Sequence, residues 1–125
     1  MKKTNDSIKI VLLGEPKSTG AIYKMVCRGK FGTYYMSAEG KKKKESYIEQ
    51  VAKQYKGAIL DGDIHIDIKL YFGTKRKVDW DNFHKLSMDS LTGIVWTDDS
   101  QIQRAVVEKF QDKENPRIEL EISKI

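Results

Sequence analysis

From Ile64 to Phe72 the chain alternates without a break: Ile64, Ile66, Ile68, Leu70 and Phe72 are separated by His65, Asp67, Lys69 and Tyr71. Side chains of an extended chain point to opposite sides with period two, so this segment is predicted to be a strand with one buried face. Ile8, Ile10 and Leu12, interleaved with Lys9, Val11 and Leu13, predict a second well-buried strand that ends at Gly14. Ile48, Val51, Ala52 and Tyr55 repeat at i, i+3, i+4 and i+7, the apolar stripe of a helix expected to begin near Gly40 and stop at Gly57. A second helix is predicted from about Asp81 to Leu91, with Phe83, Leu86 and Leu91 on a buried side and charge on the other.

Between these elements the segment from Glu15 to Gly32 mixes Pro16, Gly20, Gly29 and Gly32 with Lys17, Lys24, Arg28 and Lys30, and reads as a basic loop with one short strand near Tyr23. Thr33 to Met36 is a further short strand. Ile102 to Phe110 and Arg117 to Ile122 read as closing strands, joined by the polar stretch Gln111 to Pro116 into an antiparallel hairpin. The expected fold is α+β: residues 1–125 as a single domain, with a mixed sheet of about five strands and two main helices packed on it.

Composition narrows the function classes. A chain of 125 residues can bury about two-thirds of its unfolded surface on its own. The balance of 23 basic and 18 acidic residues leaves a net charge of +5 and a pI near 9.2, which suits a polyanionic partner. Cys27 is the only cysteine, so no intrachain disulfide and no cysteine-rich zinc site is available, in keeping with a reducing cytoplasm. The apolar run Ile8 to Leu13 is too short to span a membrane, and no membrane partner is expected. Gly14 to Gly20 follows a strand but lacks the Gly-Lys-Ser/Thr of a phosphate-binding loop, so no nucleotide cofactor is expected.

The chemistry concentrates between Asp79 and Asp99. If Val78 to Asp81 is extended, Asp79 and Asp81 share a side. Asp81, Lys85 and Asp89 follow at four-residue spacing along the predicted helix, and of the adjacent pair Asp98-Asp99 only one can face a given site; Asp99 is the expected one. Each feature alone has a bland reading: a surface ion-pair ladder for the helix stripe, a turn for Asp98-Asp99. Taken together with Lys75, Arg76 and Lys77 just before them, they suit phosphodiester hydrolysis. Hard cations such as magnesium take oxygen ligands, and a metal-activated water attacks the phosphorus. Lys85, one helical turn beyond Asp81, is placed to stabilise the developing charge or to protonate the leaving group. Trp80 and Trp96, each beside an apolar run, are expected in the core or a dimer interface.

These residues carry a resemblance. Asp79-Trp80-Asp81-Asn82, Lys85, Asp89, Leu91 and Gly93, followed by Trp96, Asp98-Asp99 and Gln101-Ile102, resemble the RusA-type Holliday junction resolvases, and Tyr35 to Gly40 is similar to the segment leading into that family's first helix. The resemblance implies a homodimeric, magnesium-dependent endonuclease, with manganese as a substitute, that makes paired cuts in four-way DNA junctions. Such enzymes are cytoplasmic and bacterial, many of them carried by phages or prophages. It also implies that Asp79, Asp81 and Asp99 are the metal-binding carboxylates, that Lys85 is the catalytic lysine, and that Asp89 and Asp98 are additional acidic positions. Lys75, Arg76, Lys77, Lys17 and Lys24 are the expected DNA contacts. The alternative is a non-catalytic basic DNA-binding accessory protein of the same fold. The clustered carboxylates favour the enzyme, since binding to a polyanion alone would gain from their loss.

Overall fold

The computed structural model describes residues 7–17, 23–28, 31–74 and 83–125. The strands are β1 (Ile8–Leu13), β2 (Tyr23–Arg28), β3 (Phe31–Met36), β4 (Ile64–Phe72), β5 (Ile102–Gln111) and β6 (Arg117–Lys124); the helices are α1 (Ala38–Gln54) and α2 (Lys85–Leu91). β1, β6, β4 and β5 form a mixed four-stranded sheet in that order, and β2 pairs with β3 in a separate two-stranded ribbon. The expected sheet of about five strands is thus divided in two.

β4 is central because its alternation is complete. Ile64, Ile66, Ile68, Leu70 and Phe72 are buried while the four residues between them are half-buried. β6 runs antiparallel to it, with Ile66 opposite Ile122 and Ile68 opposite Leu120, and β1 continues the sheet with Ile10 opposite Leu120. Together with Tyr47 and Val51 of α1, and Leu86 and Leu91 of α2, these residues make one core. The apolar sides of β4 and of the helix carrying Leu86 meet in it, as the periodicities require.

The predicted β5–β6 hairpin does not form. β5 lies parallel to β4 on its far side, and β6 is inserted between β1 and β4, so the 112–116 connection steps across β4. Burial explains the choice. β6 buries Ile118, Leu120 and Ile122 and earns an interior place, whereas β5 is exposed at most positions and half-buried only at Ile102 and Val107. Asp112 secures the step: its N–H donates to Phe72 O (2.8 Å), and its carboxylate pairs with Arg117 (2.7 Å).

Both helices also differ in detail from expectation. Ser37 caps α1, its Oγ accepting from Gly40 N–H at 3.0 Å, so the helix starts before Gly40. Its buried line is Gly40, Tyr47 and Val51, with Ile48 and Ala52 turned outward. The stripe is rotated by one residue because the larger Tyr47 occupies the core position. α2 starts at Lys85 and carries Lys85 and Asp89 of the expected Asp81-Lys85-Asp89 stripe, while Asp81 lies outside the described residues. Phe83 precedes the helix and packs edge-on to Phe72, with ring centroids 5.0 Å apart. Of the described α2 side chains, Leu86, Ser87, Met88, Ser90 and Leu91 are all buried, and the charged Asp89 is half-buried. The two serines tolerate burial because their hydroxyls donate to the carbonyls of His84 and Leu86.

Candidate active site

Leu91 ends α2, and Gly93 turns the chain with φ +92°, a left-handed conformation that suits glycine. Its N–H donates to Trp96 O at 2.7 Å, and the N–H groups of Ile94 and Val95 return to Leu91 O. This tight turn drives Trp96 into the core, where it is fully buried. A buried indole N–H needs a partner. It finds Asp99 Oδ1 at 3.1 Å and Thr92 Oγ1 at 3.0 Å. The Thr92 hydroxyl lies 2.8 Å from the same Asp99 oxygen and 2.9 Å from Met88 O, so its single proton serves one of these two acceptors. Asp99 is itself exposed, and its second oxygen has no partner among the described residues.

Asp98 has a different task. It is the N-cap of a 3₁₀ turn, Asp99–Gln101, and its carboxylate accepts from the Ser100 N–H (3.3 Å) and the Ser100 hydroxyl. The hydroxyl bond, followed by the backbone one, holds the Asp98 carboxyl below the usual carboxylate range. Gln101 completes the capping box, its Oε1 accepting from the N–H groups of Thr97 (2.8 Å) and Asp98 (2.9 Å). Its Nε2 donates to Leu60 O (3.0 Å) and Gly62 O (2.9 Å), which ties the acidic turn to the loop that leads into β4. Adjacent aspartates are thereby separated in their contacts: Asp98 caps the turn through Ser100, and Asp99 shares one oxygen with Trp96 and Thr92.

The remaining predicted residues fall as follows. Asp79, Asp81, Lys75, Arg76 and Lys77 lie outside the described residues, as does Trp80. Lys85 is the first residue of α2, and its side chain is also outside that set; Asp89 stands one turn further along. Lys24 belongs to β2, its side chain again outside the described part. Lys17 pairs with Glu39 at 3.0 Å. Among the described residues no three acidic, histidine or cysteine side chains gather as a metal site. His65 bonds Asp67 at 3.0 Å on the outer sheet face. No helix among the described residues is long and apolar enough to cross a membrane.

Several supporting contacts are not visible in the motif itself. Thr92 and Trp96 orient Asp99, and the i, i+3 spacing of Asp98 and Gln101 is a capping-box signature legible before the strand that follows. Glu15 is a third case. Its Oε1 accepts from Gly73 N–H at 2.8 Å, where β4 gives way to the segment carrying the basic run and Asp79.

Comparison with known proteins adds the family. The family described as Endodeoxyribonuclease RusA matches residues 14–123. The crossover junction endodeoxyribonuclease rusA of Enterobacteria phage 82 is 32% identical over 99 residues, covering 75% of this chain and 79% of that protein. An uncharacterized protein of Bacillus subtilis (strain 168), YqaN, is 28% identical over 96% of this chain and 98% of its own length. With residues 14–123, every element after β1 save the last residue of β6, inside the match, the chain belongs to the RusA family of endodeoxyribonucleases and is a hydrolase of the DNA phosphodiester backbone.

Proposed function

We propose that the protein is a magnesium-dependent, homodimeric endonuclease that resolves four-way DNA junctions by paired cuts, acting in the cytoplasm of a bacterial host on phage or prophage DNA. The observation that carries this reading is the Asp99 carboxylate: one oxygen is fixed by Trp96 and Thr92 on an exposed residue, and the other has no partner among the described residues, in a chain of the RusA family. The donor set fits a hard cation, since it consists of carboxylate oxygens without cysteine or histidine. Asp79, Asp81 and Asp99 are the proposed ligands; manganese, also a taker of oxygen ligands, would substitute.

A bound magnesium ion supplies an activated water and offsets the charge gathering on the phosphate. The chain's residues do the rest. Trp96 and Thr92 orient Asp99, so that its free oxygen needs little reordering on ligation. Lys85 stabilises charge on the non-bridging or leaving oxygen. Lys75, Arg76 and Lys77, together with Lys17 and Lys24, are the residues proposed to hold the backbone phosphates. Asp89 and Asp98 contribute negative potential near the site, and Asp98 also shapes the turn.

The test is cleavage of a synthetic four-way junction with and without magnesium, alongside Asp79→Asn. Asparagine keeps the size of the side chain and removes the charge that holds the cation, so cleavage should fall by at least about 100-fold while junction binding is kept or improved. Near-normal cleavage by this variant, in a preparation free of other nucleases, would remove the aspartate site. Tight junction binding without cleavage by the unaltered chain would favour the accessory-protein alternative.

A further inference from the structure

The two edges of the four-stranded sheet are finished differently. At the β1 edge, α1 satisfies the backbone with glutamines. Gln54 Oε1 accepts from Val11 N–H (2.8 Å) while its Nε2 donates to Val11 O (2.7 Å), and Gln50 Oε1 accepts from Leu13 N–H (2.8 Å). The β5 edge has no such cover among the described residues. β5 is ten residues long, contains no proline and is exposed at most positions, with Val106 39% and Phe110 40% exposed. A long, open edge bearing apolar residues is a template for another strand, and proteins that leave one open without a use for it risk aggregation.

The sequence of β5 is complementary to itself. In an antiparallel pair related by a two-fold axis normal to the sheet, opposed residues share a face, so the two residue numbers of each opposed pair add to one even total. With Val106 on the axis, Arg104 stands opposite Glu108 of a second copy, Glu108 opposite Arg104, and Val106 opposite itself. Slipping the register by two residues either way sets Arg104 against Val106 or Phe110. The next slip sets Arg104 or Glu108 against its own like charge. Neither Arg104 nor Glu108 has an ion-pair partner among the described residues.

We propose that the β5 edge is the homodimer interface, with a second copy of this chain paired antiparallel about a two-fold axis at Val106 into a continuous eight-stranded sheet. The inference rests on the homodimer of the functional reading and specifies the surface that makes it. Ile102 is four residues from the axis, so the two acidic turns that precede β5 would be roughly 26 Å or more apart along the ribbon, at a rise of ~3.3 Å per residue. Two identical sites would then face opposite directions, as a two-fold symmetric substrate requires.

The test is sedimentation of the full chain without DNA or metal, so its outcome is independent of whether the chain cuts junctions. The unaltered chain should be dimeric at micromolar concentration. Arg104→Glu and Glu108→Arg should each weaken the dimer by roughly tenfold or more, because each change turns two symmetry-related attractions into repulsions. The double reversal should restore it. In a Cys27→Ser background, Val106→Cys should cross-link to itself under mild oxidation, and Arg104→Cys, which faces position 108 instead, should not. A monomeric chain, single reversals with an unchanged dimer constant, no rescue by the double reversal, or no Val106→Cys cross-link would each overturn the proposal; a dimer that follows the charge swap supports it even if no nuclease activity is found.

Discussion

Asp98 and Asp99 are chemically identical neighbours, and what separates them is the company each keeps. Asp99 shares one oxygen with the indole of Trp96 and the hydroxyl of Thr92. Outer partners of a metal ligand typically tune affinity by 10- to 100-fold. Thr92→Val keeps the shape of the side chain and removes the hydroxyl, so the magnesium concentration for half-maximal cleavage should rise about tenfold with little loss of folding stability. An unchanged magnesium midpoint would reduce Thr92 to a packing residue. Gly73 offers a stability test. A Cβ there would lie 2.8 Å from both Glu15 Oε1 and Pro116 Cγ. Gly73→Ala should therefore cost about 1–3 kcal/mol in chemical denaturation, as overpacking does. Tyr47 points the other way: its buried hydroxyl lacks a partner among the described residues, and burial, with the Glu15 charge second, pushes its ionisation up. Tyr47→Phe should be neutral or stabilising. At this scale the sequence made the acidic residues visible as a pattern of charge. It hid their supports, because Thr92, Trp96 and Glu15 matter only through contacts that the fold creates.

At the scale of elements, a strand's place in the sheet follows from how completely its pattern alternates. β4 and β6 alternate fully and lie inside; β1 and β5 lie at the edges. The short polar connection Gln111 to Pro116 reads as a hairpin locally, yet β4 outcompetes β5 as the neighbour of β6 because it offers Ile66, Ile68 and Leu70 opposite Ile122, Leu120 and Ile118. That competition is between distant segments, so no local reading resolves it. The one-residue rotation of α1 has the same origin: Ile48 and Tyr47 are both apolar enough for the stripe, and the surface offered by the sheet decides between them. The glutamine cover of β1 makes a prediction here. Gln54→Ala removes a two-bond clasp on Val11 and should destabilise the fold by about 1–2 kcal/mol, since each such bond contributes roughly 0.5–1.5 kcal/mol. The acidic turn makes another. The Asp98 carboxyl is held below its ordinary range in the folded state, so its cap contributes fully above pH 3.8 and is lost as the pH falls through the lowered value. Asp98→Asn keeps an N-cap while removing this dependence, so the pH dependence of stability should differ between the two proteins only as the pH falls from about 3.8 through the lowered value.

Across the whole molecule, charge and fold divide the work of recognition. The α+β class, the core under β4 and the family were legible because long periodic segments and the Asp79–Ile102 spacing survive without tertiary information; the short strands near Tyr23 and at Thr33 to Met36 were legible too, but not that they pair with each other apart from the main sheet, because strand partners are chosen between segments. The net charge of +5 draws DNA to the protein but cannot say which cations touch it. Salt dependence can. Each phosphate contact releases a condensed counterion and adds about 0.9 to the slope of log affinity against log salt on duplex DNA. Replacing Lys75, Arg76 and Lys77 together by glutamine should weaken junction binding and flatten that slope by about 2–3 for each protomer engaged. Lys41 and Lys42, exposed in the first turns of α1, provide the control: neutralising them also lowers the net charge, yet should leave the slope closer to its original value. If instead the lysines of α1 govern the slope and the 75–77 run does not, the DNA crosses the α1 end of the protein and the phosphate path proposed beside Asp79 is wrong. If both changes flatten it equally, attraction is diffuse, and junction selectivity must come from the spacing of two sites in the dimer, which the charge reversals on β5 would then abolish.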